Sequence, residues 1–281
     1  MTGREIEQVL KDAGIENARR ESELLIAACT GWTDATVRAE YDRQIPDGDG
    51  RLAYMLQKRA KRYPLQYLLG TWSFWRQEYE VSPDCLIPRA DTETLVECAF
   101  KRLPRGARVL DLCTGSGCIA ISLLCERADL TAVAVDLYEN TLSVARRNAA
   151  RNGVGEDRLR FVRADVLAED FLDGLGTFDA LLSNPPYIPT AELEGLQKEV
   201  TFEPRAALDG GEDGLVFYRR MLADDARAVL APGGCWMFEI GYDQGEALCA
   251  LSEQRGYDCQ IVQDLGGQDR VAIVCPKHTL E

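Results

Sequence analysis

The feature that most constrains the fold of this chain is a regular alternation of short apolar runs with helical segments from about residue 84 onward. Each run is short enough to be a buried strand. The runs lie near residues 108–112, 131–136, 159–163, 178–183, 235–240, 257–263 and 270–275. Because strands that alternate with helices pair mainly in parallel, the pattern predicts an α/β fold with a Rossmann-like, mostly parallel sheet of seven strands.

Residues 1–71 have a different organisation and predict a small N-terminal helical domain. Apolar positions recur at helical spacing in residues 5–13, 18–29, 34–41 and 52–62. Aromatic and polar residues then alternate, as in a β-hairpin. We therefore expect a helical domain at 1–71, a hairpin linker at 72–83 and the sheet domain at 84–281.

A strand, a glycine turn and a helix follow one another at residues 108–121. Gly115 and Gly117 allow a tight turn that approaches a ligand closely, and the helix presents its positive end to that ligand. Asp136 ends the next strand, about 20 residues after the turn, where a carboxylate can accept ribose hydroxyls. The glycines also match the dinucleotide fingerprint, so this segment alone is also compatible with an NAD-binding site.

The apolar run at residues 179–183 ends in the tetrapeptide Asn-Pro-Pro-Tyr. Its prolines lack N–H groups and stiffen the backbone, so the side-chain oxygen of Asn184 and the carbonyl of Pro185 can accept both hydrogens of a planar NH2 group. Tyr187 can stack on that group. A Pro-Pro turn capped by asparagine is the alternative. Together with Asp111, which opens the glycine turn, the tetrapeptide favours a methyltransferase of amide or amine nitrogen over a dehydrogenase.

Several stretches match one known family in order. They are residues 64–70, 86–93, the glycine turn, 183–188, 202–205, 210–215, 239–241 and 264–270. On these stretches the chain resembles the release-factor glutamine N5-methyltransferases (HemK type) over nearly its whole length. The resemblance implies a class I enzyme that uses S-adenosylmethionine to methylate the glutamine of the Gly-Gly-Gln tip of peptide chain release factors. The chain departs from the family pattern in two places. Cys113 stands where the family has the first glycine of its turn, and Ala90-Asp91 stands where the family has Pro-Glu.

The residue patterns and the resemblance together assign the site. We expect Asn184, Pro185 and Tyr187 to be catalytic. The substrate-binding residues are Asn184, Pro185, Pro186 and Tyr187. The cofactor-binding residues are Cys113, Thr114, Gly115, Ser116, Gly117, Asp136, Asp165, Val166 and Asn184. Asp165 is expected to face the adenine, whereas Asp111 either attracts the cofactor ammonium or braces the turn.

The connection at residues 185–213 is long and shows no obvious secondary structure. Connections of this length are usually functional or disordered. Because this one begins at the tetrapeptide, we interpret it as a substrate-shaping lid that Glu203 and Arg205 help to fix. A structural turn at these two residues is the alternative.

Charge and composition limit the partners. The net charge of −14 argues against a broad contact with a phosphate backbone, so we expect a protein substrate and no direct nucleic-acid partner. The basic run at residues 58–62 is a docking patch or, as we favour, a solvated helix face. His278 is the single histidine, which excludes a histidine triad or a multi-histidine metal site. We expect no bound metal. We assign His278 no role beyond that of a residue in the C-terminal tail.

No apolar run reaches the length of a membrane span, and the N-terminal residues lack the apolar stretch of a signal peptide. We therefore expect a soluble, cytoplasmic protein without a membrane partner. The ten cysteines are scattered and include no Cys-x-x-Cys pair, so buried free thiols are expected rather than a disulfide framework.

Three alternatives to the release-factor substrate stay open. The same site would serve a glutamine of a ribosomal protein. It would also hold the exocyclic amino group of adenine or guanine, although the acidic composition argues against nucleic acid. The third alternative is a binding module that keeps the fold without catalysis.

Overall fold

The computed structural model describes residues 1–277, so His278 lies outside the described residues. These residues form two compact units. The smaller unit comprises residues 1–71 and 197–202, and the larger comprises residues 72–196 and 203–277. Compactness does not establish independent folding, so the three domain boundaries given above stay a prediction.

The smaller unit consists of short helices. They are α1 Gly3–Asp12, α2 Ala18–Thr30, α3 Asp34–Glu40, α4 Arg51–Ala60 and α5 Leu65–Leu69. Helix α1 begins with a capping box, in which the Thr2 side chain accepts from the N–H of Glu5 and the Glu5 side chain accepts from the N–H of Thr2. Its buried Ile6 and Leu10 join a core with apolar side chains of the other helices. The first four helices lie where the apolar spacing predicts them, whereas α5 is too short to show a period.

Part of the long connection at residues 185–213 belongs to this helical unit. Its residues 197–202 include Glu199, which forms an ion pair with Arg59 at 2.9 Å. Arg59 also pairs with Glu21 at 2.5 Å, and its side chain is only 7% exposed. The interpretation of the basic run as a solvated helix face is therefore wrong at Arg59, because two carboxylates hold this guanidinium in a buried network.

A hairpin leads into the larger unit, with strands β1 Thr71–Phe74 and β2 Gln77–Glu80. Phe74 and Tyr79 are buried and meet edge to face, with their ring centroids 5.9 Å apart. The Tyr79 hydroxyl also lies 2.7 Å from the hydroxyl of Ser122. The hairpin therefore packs into the core of the larger unit.

The larger unit contains the predicted sheet. Its strands among residues 1–277 are β3 Arg108–Leu112, β4 Thr131–Asp136, β5 Leu159–Arg163, β6 Phe178–Ser183, β7 Leu230–Glu239, β8 Tyr257–Gln263 and β9 Asp269–Pro276. They lie in the order β5-β4-β3-β6-β7-β9-β8, and β9 runs antiparallel to both of its neighbours. The prediction of a Rossmann-like, mostly parallel, seven-stranded sheet is confirmed.

Helices cover both faces of the sheet. They are α6 Glu93–Arg102, α7 Cys118–Glu126, α8 Glu139–Arg151, α9 Val216–Met221, α10 Asp224–Ala228 and α11 Gly245–Gln254. Successive strand residues point to opposite faces. Val109 accordingly packs in one core with α6 and α7, whereas Leu110 packs in a second core with α9 and α11.

The strand order reverses between β3 and β6, which pair in parallel with Leu112 opposite Ser183. In open α/β sheets, ligands bind beyond the carboxyl ends of the strands at such a switch point. The glycine turn follows β3 and Asn184 follows β6. The topology therefore places the two sequence motifs on either side of one crevice.

Strand β7 begins at Leu230, earlier than the predicted start at residue 235. Leu230 pairs with Phe178, and the register then shifts before Cys235 pairs with Ala180. The intervening Ala-Pro-Gly-Gly segment has the composition of a turn, so the sequence pattern did not indicate a strand there.

The expectation of free thiols is wrong for two of the cysteines. Cys249 on α11 and Cys259 on β8 form a disulfide, with their Cα atoms 5.2 Å apart. The other eight cysteines of residues 1–277 form no disulfide and range from buried to partly buried. The pairing depends on how α11 packs against β8, which a cysteine spacing does not reveal.

Candidate active site

The turn between β3 and α7 is bent by residues with positive φ. Gly115 and Gly117 have φ angles of 57° and 81°. A Cβ at Gly117 would lie 2.7 Å from Cδ1 of Ile121, whereas a Cβ at Gly115 would meet nothing within 4 Å. A side chain at Gly117 would therefore crowd Ile121 in a backbone conformation that L residues rarely adopt, whereas Gly115 faces open space. Cys113 has a φ of 58°, a conformation that costs a non-glycine residue about 1 kcal/mol or more, so its departure from glycine has a local backbone cost.

Asp111 lies beneath this turn and is 0% exposed. Its Oδ2 accepts from the Thr114 hydroxyl at 2.5 Å and from the N–H of Ala120 at 3.4 Å. Burial raises the pKa of this carboxyl to about 7. Because Asp111 joins the turn to the first part of α7 and does not line the cavity described below, the geometry favours the bracing role over contact with a cofactor ammonium.

Asp136 ends β4 and is fixed by backbone donors. Its Oδ2 accepts from the N–H of Gly115 at 3.0 Å, and its Oδ1 accepts from the N–H of Tyr138 at 3.1 Å. Burial raises the pKa of this carboxyl, against the effect of these hydrogen bonds. Asp165, which follows β5, is exposed and accepts from the N–H of Leu167 at 2.9 Å.

Asn184 lies at the carboxyl end of β6, and its side chain is oriented by one neighbour. The Asn184 Nδ2 atom donates to the hydroxyl of Thr92 at 3.2 Å. Thr92 is buried at the end of the 3-10 helix Ala90–Thr92, directly before α6. The opposite end of the amide, Oδ1, has no hydrogen-bond partner among the described residues and is free to accept a donor.

Tyr187 is not among the residues that line the cavity described below, and its predicted stacking on the substrate stays a prediction. Its hydroxyl donates to Oε1 of Glu239 at 3.4 Å, and its side chain packs against the core beneath the sheet's edge. Gln244 donates to the carbonyl of Tyr187 at 2.9 Å. These contacts fix the position of Tyr187, and the adjacent Pro185 and Pro186 are buried.

A cavity of about 530 Å³ occupies the crevice at the switch point. The predicted site residues that line it are Cys113, Thr114, Gly115, Ser116, Asp136, Asp165, Val166, Asn184 and Pro186. The predicted residues outside its lining are Gly117, Pro185 and Tyr187. Gly117 directly precedes α7, Pro185 is buried, and Tyr187 packs against the core that contains Leu110.

The connection after the tetrapeptide contributes to the same cavity through Pro204, Ala206 and Ala207. Glu203 is buried there, accepts from the N–H of Ile87 at 3.0 Å and pairs with Arg89. Arg205, in contrast, is largely exposed and pairs with Asp209 at 3.4 Å. Glu203 is therefore the residue that anchors this part of the connection. The predicted lid remains a proposal.

Comparison with known proteins identifies the family. Residues 4–70 match the model of the PrmC N-terminal domain, and residues 90–226 match that of the methyltransferase small domain. The chain is 42% identical to a release factor glutamine methyltransferase of Geobacter sulfurreducens over 93% of this chain and 91% of that protein. It is 40% identical to a protein of the same name from Moorella thermoacetica, over 93% and 92% of the two chains.

The chain belongs to the release factor glutamine methyltransferase family. It is therefore a methyltransferase. A crystal structure of a methyltransferase from Pyrococcus furiosus covers 80% of this chain and 95% of its own, with a TM-score of 0.52 and 20% identity. This likeness bears on the fold alone and agrees with the Rossmann-like sheet.

Two buried residues of this methyltransferase site were not singled out from the sequence. Thr92 contacts Asn184 directly, and Glu239 lies behind Tyr187 at the end of β7. Both fall in stretches that carried the family resemblance, residues 86–93 and 239–241. That was the available signal, but neither stretch indicated which atoms its residues contact.

Among residues 1–277 of this methyltransferase, no group of three or more His, Cys, Asp or Glu side chains is arranged to hold a metal ion. In the same residues, no helix has both the length and the apolar character needed to cross a membrane.

Proposed function

We propose that this methyltransferase transfers the methyl group of S-adenosylmethionine to the side-chain nitrogen of the glutamine in the Gly-Gly-Gln motif of peptide chain release factors. The observation that carries the proposal is the orientation of Asn184, whose NH2 is held by Thr92 and whose oxygen is left as a free acceptor at the cavity. An amide NH2 is the donor that such an acceptor suits. The names of the relatives support the choice of release factors.

The residues of the cavity fit S-adenosylmethionine. The cavity volume of about 530 Å³ lies within the range of about 300–1,000 Å³ that is typical of ligand sites. The buried hydroxyl of Ser116 has no partner among the described residues, and the missing Cβ of Gly115 leaves room for a close backbone approach. We assign the ribose hydroxyls to Asp136 and the adenine side to Asp165 and Val166, which line the same cavity.

The chain's own residues act by positioning. When bound, S-adenosylmethionine supplies a methyl group that the positive charge of its sulfonium activates. The lone pair of an amide nitrogen is delocalised and weakly nucleophilic, so the Asn184 oxygen, which borders the cavity, accepts an N–H hydrogen of the substrate and aims the nitrogen. Orientation of this kind can supply ~7–11 kcal/mol of a barrier. Once the nitrogen is methylated, one of its N–H protons becomes acidic and is transferred to water. No general base is therefore required.

Replacement of Asp136 by asparagine is expected to weaken cofactor binding. Hydrogen bonds to a charged group are worth about 1.5–3 kcal/mol, so we expect the Kd for S-adenosylmethionine to rise roughly 10- to 100-fold. Isothermal titration calorimetry measures the change. Asp12→Asn, the same substitution on the surface of the helical unit, is the control and should leave the Kd unchanged. An unaltered Kd in Asp136→Asn would remove the ribose assignment.

The proposed substrate is tested by methyl transfer from labelled S-adenosylmethionine to separate acceptors. We expect label on release factor and none on release factor whose motif glutamine is changed to asparagine. Ribosomal protein and double-stranded DNA are the competing acceptors. Label on either of them, without label on release factor, would overturn the proposal in favour of the corresponding alternative substrate.

A further inference from the structure

The chain itself carries the tripeptide that the proposed function assigns to its substrate. Gly266-Gly267-Gln268 lies between β8 and β9, in a stretch that the site described above does not use. The other two Gly-Gly pairs of the sequence are followed by Glu212 and by Cys235, whose side chains have no amide nitrogen. Gln268 is therefore the one glutamine of this chain that stands in a Gly-Gly-Gln motif.

The tripeptide forms the tip of the hairpin between β8 and β9. The four residues from Leu265 to Gln268 are all exposed. The side-chain amide of Gln268 has no hydrogen-bond partner among residues 1–277, because the bonds of this residue are made by its backbone. Its NH2 group is therefore free to donate to an acceptor on another molecule.

The backbone of this tip is held by Asp264. The Asp264 Oδ1 atom accepts from the N–H of Gly266 at 2.8 Å and from the N–H of Gln268 at 3.0 Å. The N–H of Asp264 donates to the carbonyl of Gln268 at 2.9 Å. Gly267 has a φ of 78°, and a Cβ at this position would meet nothing within 4 Å. The tip thus presents Gln268 next to two residues without side chains, which allows the walls of a cavity to approach the backbone closely.

The tip lies at the same edge of the sheet as the cavity, but it does not belong to the cavity lining. Ile240 donates its N–H to the carbonyl of Arg270 at 2.9 Å, so β9 begins beside the end of β7. Strand β7 separates β9 from β6, the strand that Asn184 follows, and two strand spacings amount to about 10 Å. Gln268 does not line the cavity, and its bonds to Asp264 hold it in the hairpin. The Gln268 amide is therefore placed to enter the cavity of a second copy of the chain rather than its own.

We propose that Gln268 is a methylation site and that a second copy of this chain methylates it from S-adenosylmethionine. The inference rests on the proposed function, because it requires a site that accepts the glutamine of Gly-Gly-Gln. The S–CH3 bond of S-adenosylmethionine breaks with its electron pair left on sulfur, and an N–CH3 bond forms at Nε2 of Gln268. The nitrogen then loses one proton to water, which gives S-adenosylhomocysteine and N5-methylglutamine.

The first test incubates the full chain with labelled S-adenosylmethionine and maps the methyl group by mass spectrometry. We expect the label on the peptide that contains Gln268. Gln268→Asn, which keeps the amide and shortens the side chain by one methylene group, should remain unlabelled. Gln263→Asn is the matched control on the same hairpin. The Gln263 amide donates to Asp269 at 3.1 Å and follows no glycine, so this variant should still be labelled at Gln268.

A mixture of two variants distinguishes transfer between copies from transfer within one copy. Asn184→Ala supplies the acceptor, because it keeps Gln268 and lacks the proposed catalytic oxygen, and Gln268→Asn supplies the enzyme. We expect label on Asn184→Ala when Gln268→Asn is added. Asn184→Ala alone should label itself roughly 100- to 1,000-fold more slowly. If Asn184→Ala fails to fold, the unaltered protein decides, because its rate of labelling per molecule should rise with its concentration.

Binding and turnover of Gln268→Asn show whether the hairpin serves only as an acceptor. Its Kd for S-adenosylmethionine, measured by calorimetry, and its kcat on release factor should equal those of the unaltered protein, because Gln268 lies outside the cavity lining. A loss of either would give the hairpin a part in binding cofactor or release factor and would overturn the inference.

The two acceptors separate the inference from the proposed function. Label on release factor with none at Gln268 would overturn the inference and leave the proposed function in place. Label at Gln268 at a rate per molecule that is independent of protein concentration would also overturn it, because the transfer would then occur within one copy. Label at Gln268 with none on release factor would support the inference and overturn the choice of release factor. No label on either protein would overturn both.

Discussion

Asn184→Ala is expected to lower kcat for release-factor methylation about 100- to 1,000-fold, the usual result of removing one hydrogen-bond acceptor or donor that matters in the transition state. The substitution removes the oxygen that is proposed to hold the substrate nitrogen, on a residue that lines the cavity and whose Nδ2 atom is held by Thr92. Single-turnover measurement with labelled S-adenosylmethionine reports the chemical step directly.

The same variant should bind the cofactor almost normally. The Kd for S-adenosylmethionine should change by less than about threefold, since Gly115, Ser116 and Asp136 stay in place. Asn152→Ala is the matched control, because this asparagine lies at the end of α8 and outside the cavity lining. Its kcat should equal that of the unaltered protein. Unchanged turnover in Asn184→Ala, or an equal fall in Asn152→Ala, would contradict the role assigned to Asn184.

The strands of the sheet could be predicted because each one is encoded by a short, continuous stretch of sequence. The runs at β3, β4, β5 and β6 are short, apolar and bounded by turn residues, and the structure has these four strands at the predicted residues. The meeting of Gly115, Asp136 and Asn184 also followed, since parallel strands present their carboxyl ends at one edge. Strand β7 was predicted less well at its start, because a Pro-Gly-Gly segment within a strand looks like a turn.

The contacts that Asn184 and Tyr187 make with residues distant in the sequence could not be predicted in the same way. The hydroxyl of Tyr187 donates to Glu239, 52 residues further along the chain. Asn184 meets Thr92 across 92 residues. Such contacts depend on how α6 and β7 pack together, which no period or spacing within the sequence records. The ion pairs of Arg59 were missed for the same reason.

Arg59→Met is expected to lower the free energy of unfolding by about 3–5 kcal/mol, because removing one partner of a buried ion pair leaves uncompensated charge. The guanidinium meets Glu21 through both Nε and Nη2, at 2.5 and 3.1 Å, and reaches Glu199 at 2.9 Å through Nη1. Methionine keeps the apolar length of the side chain, so the loss reports the charge rather than a cavity.

Urea unfolding of the full chain measures this loss, and Arg43→Met provides the control. Arg43 pairs with Glu40 at 3.1 Å, but its side chain is 75% exposed, and surface pairs of this kind contribute about 0–1 kcal/mol. Adding Glu21→Gln to Arg59→Met should recover part of the lost stability, since it removes the carboxylate that loses its partner, whereas Glu199 keeps its ion pair with Arg62 at 2.7 Å. Equal unfolding midpoints for Arg59→Met and Arg43→Met would show that burial of the Arg59 network contributes nothing beyond a surface pair. A difference of the expected size would establish that the buried network of Arg59 with Glu21 and Glu199 stabilises the helical unit, and Glu199 belongs to the connection that follows the active-site tetrapeptide.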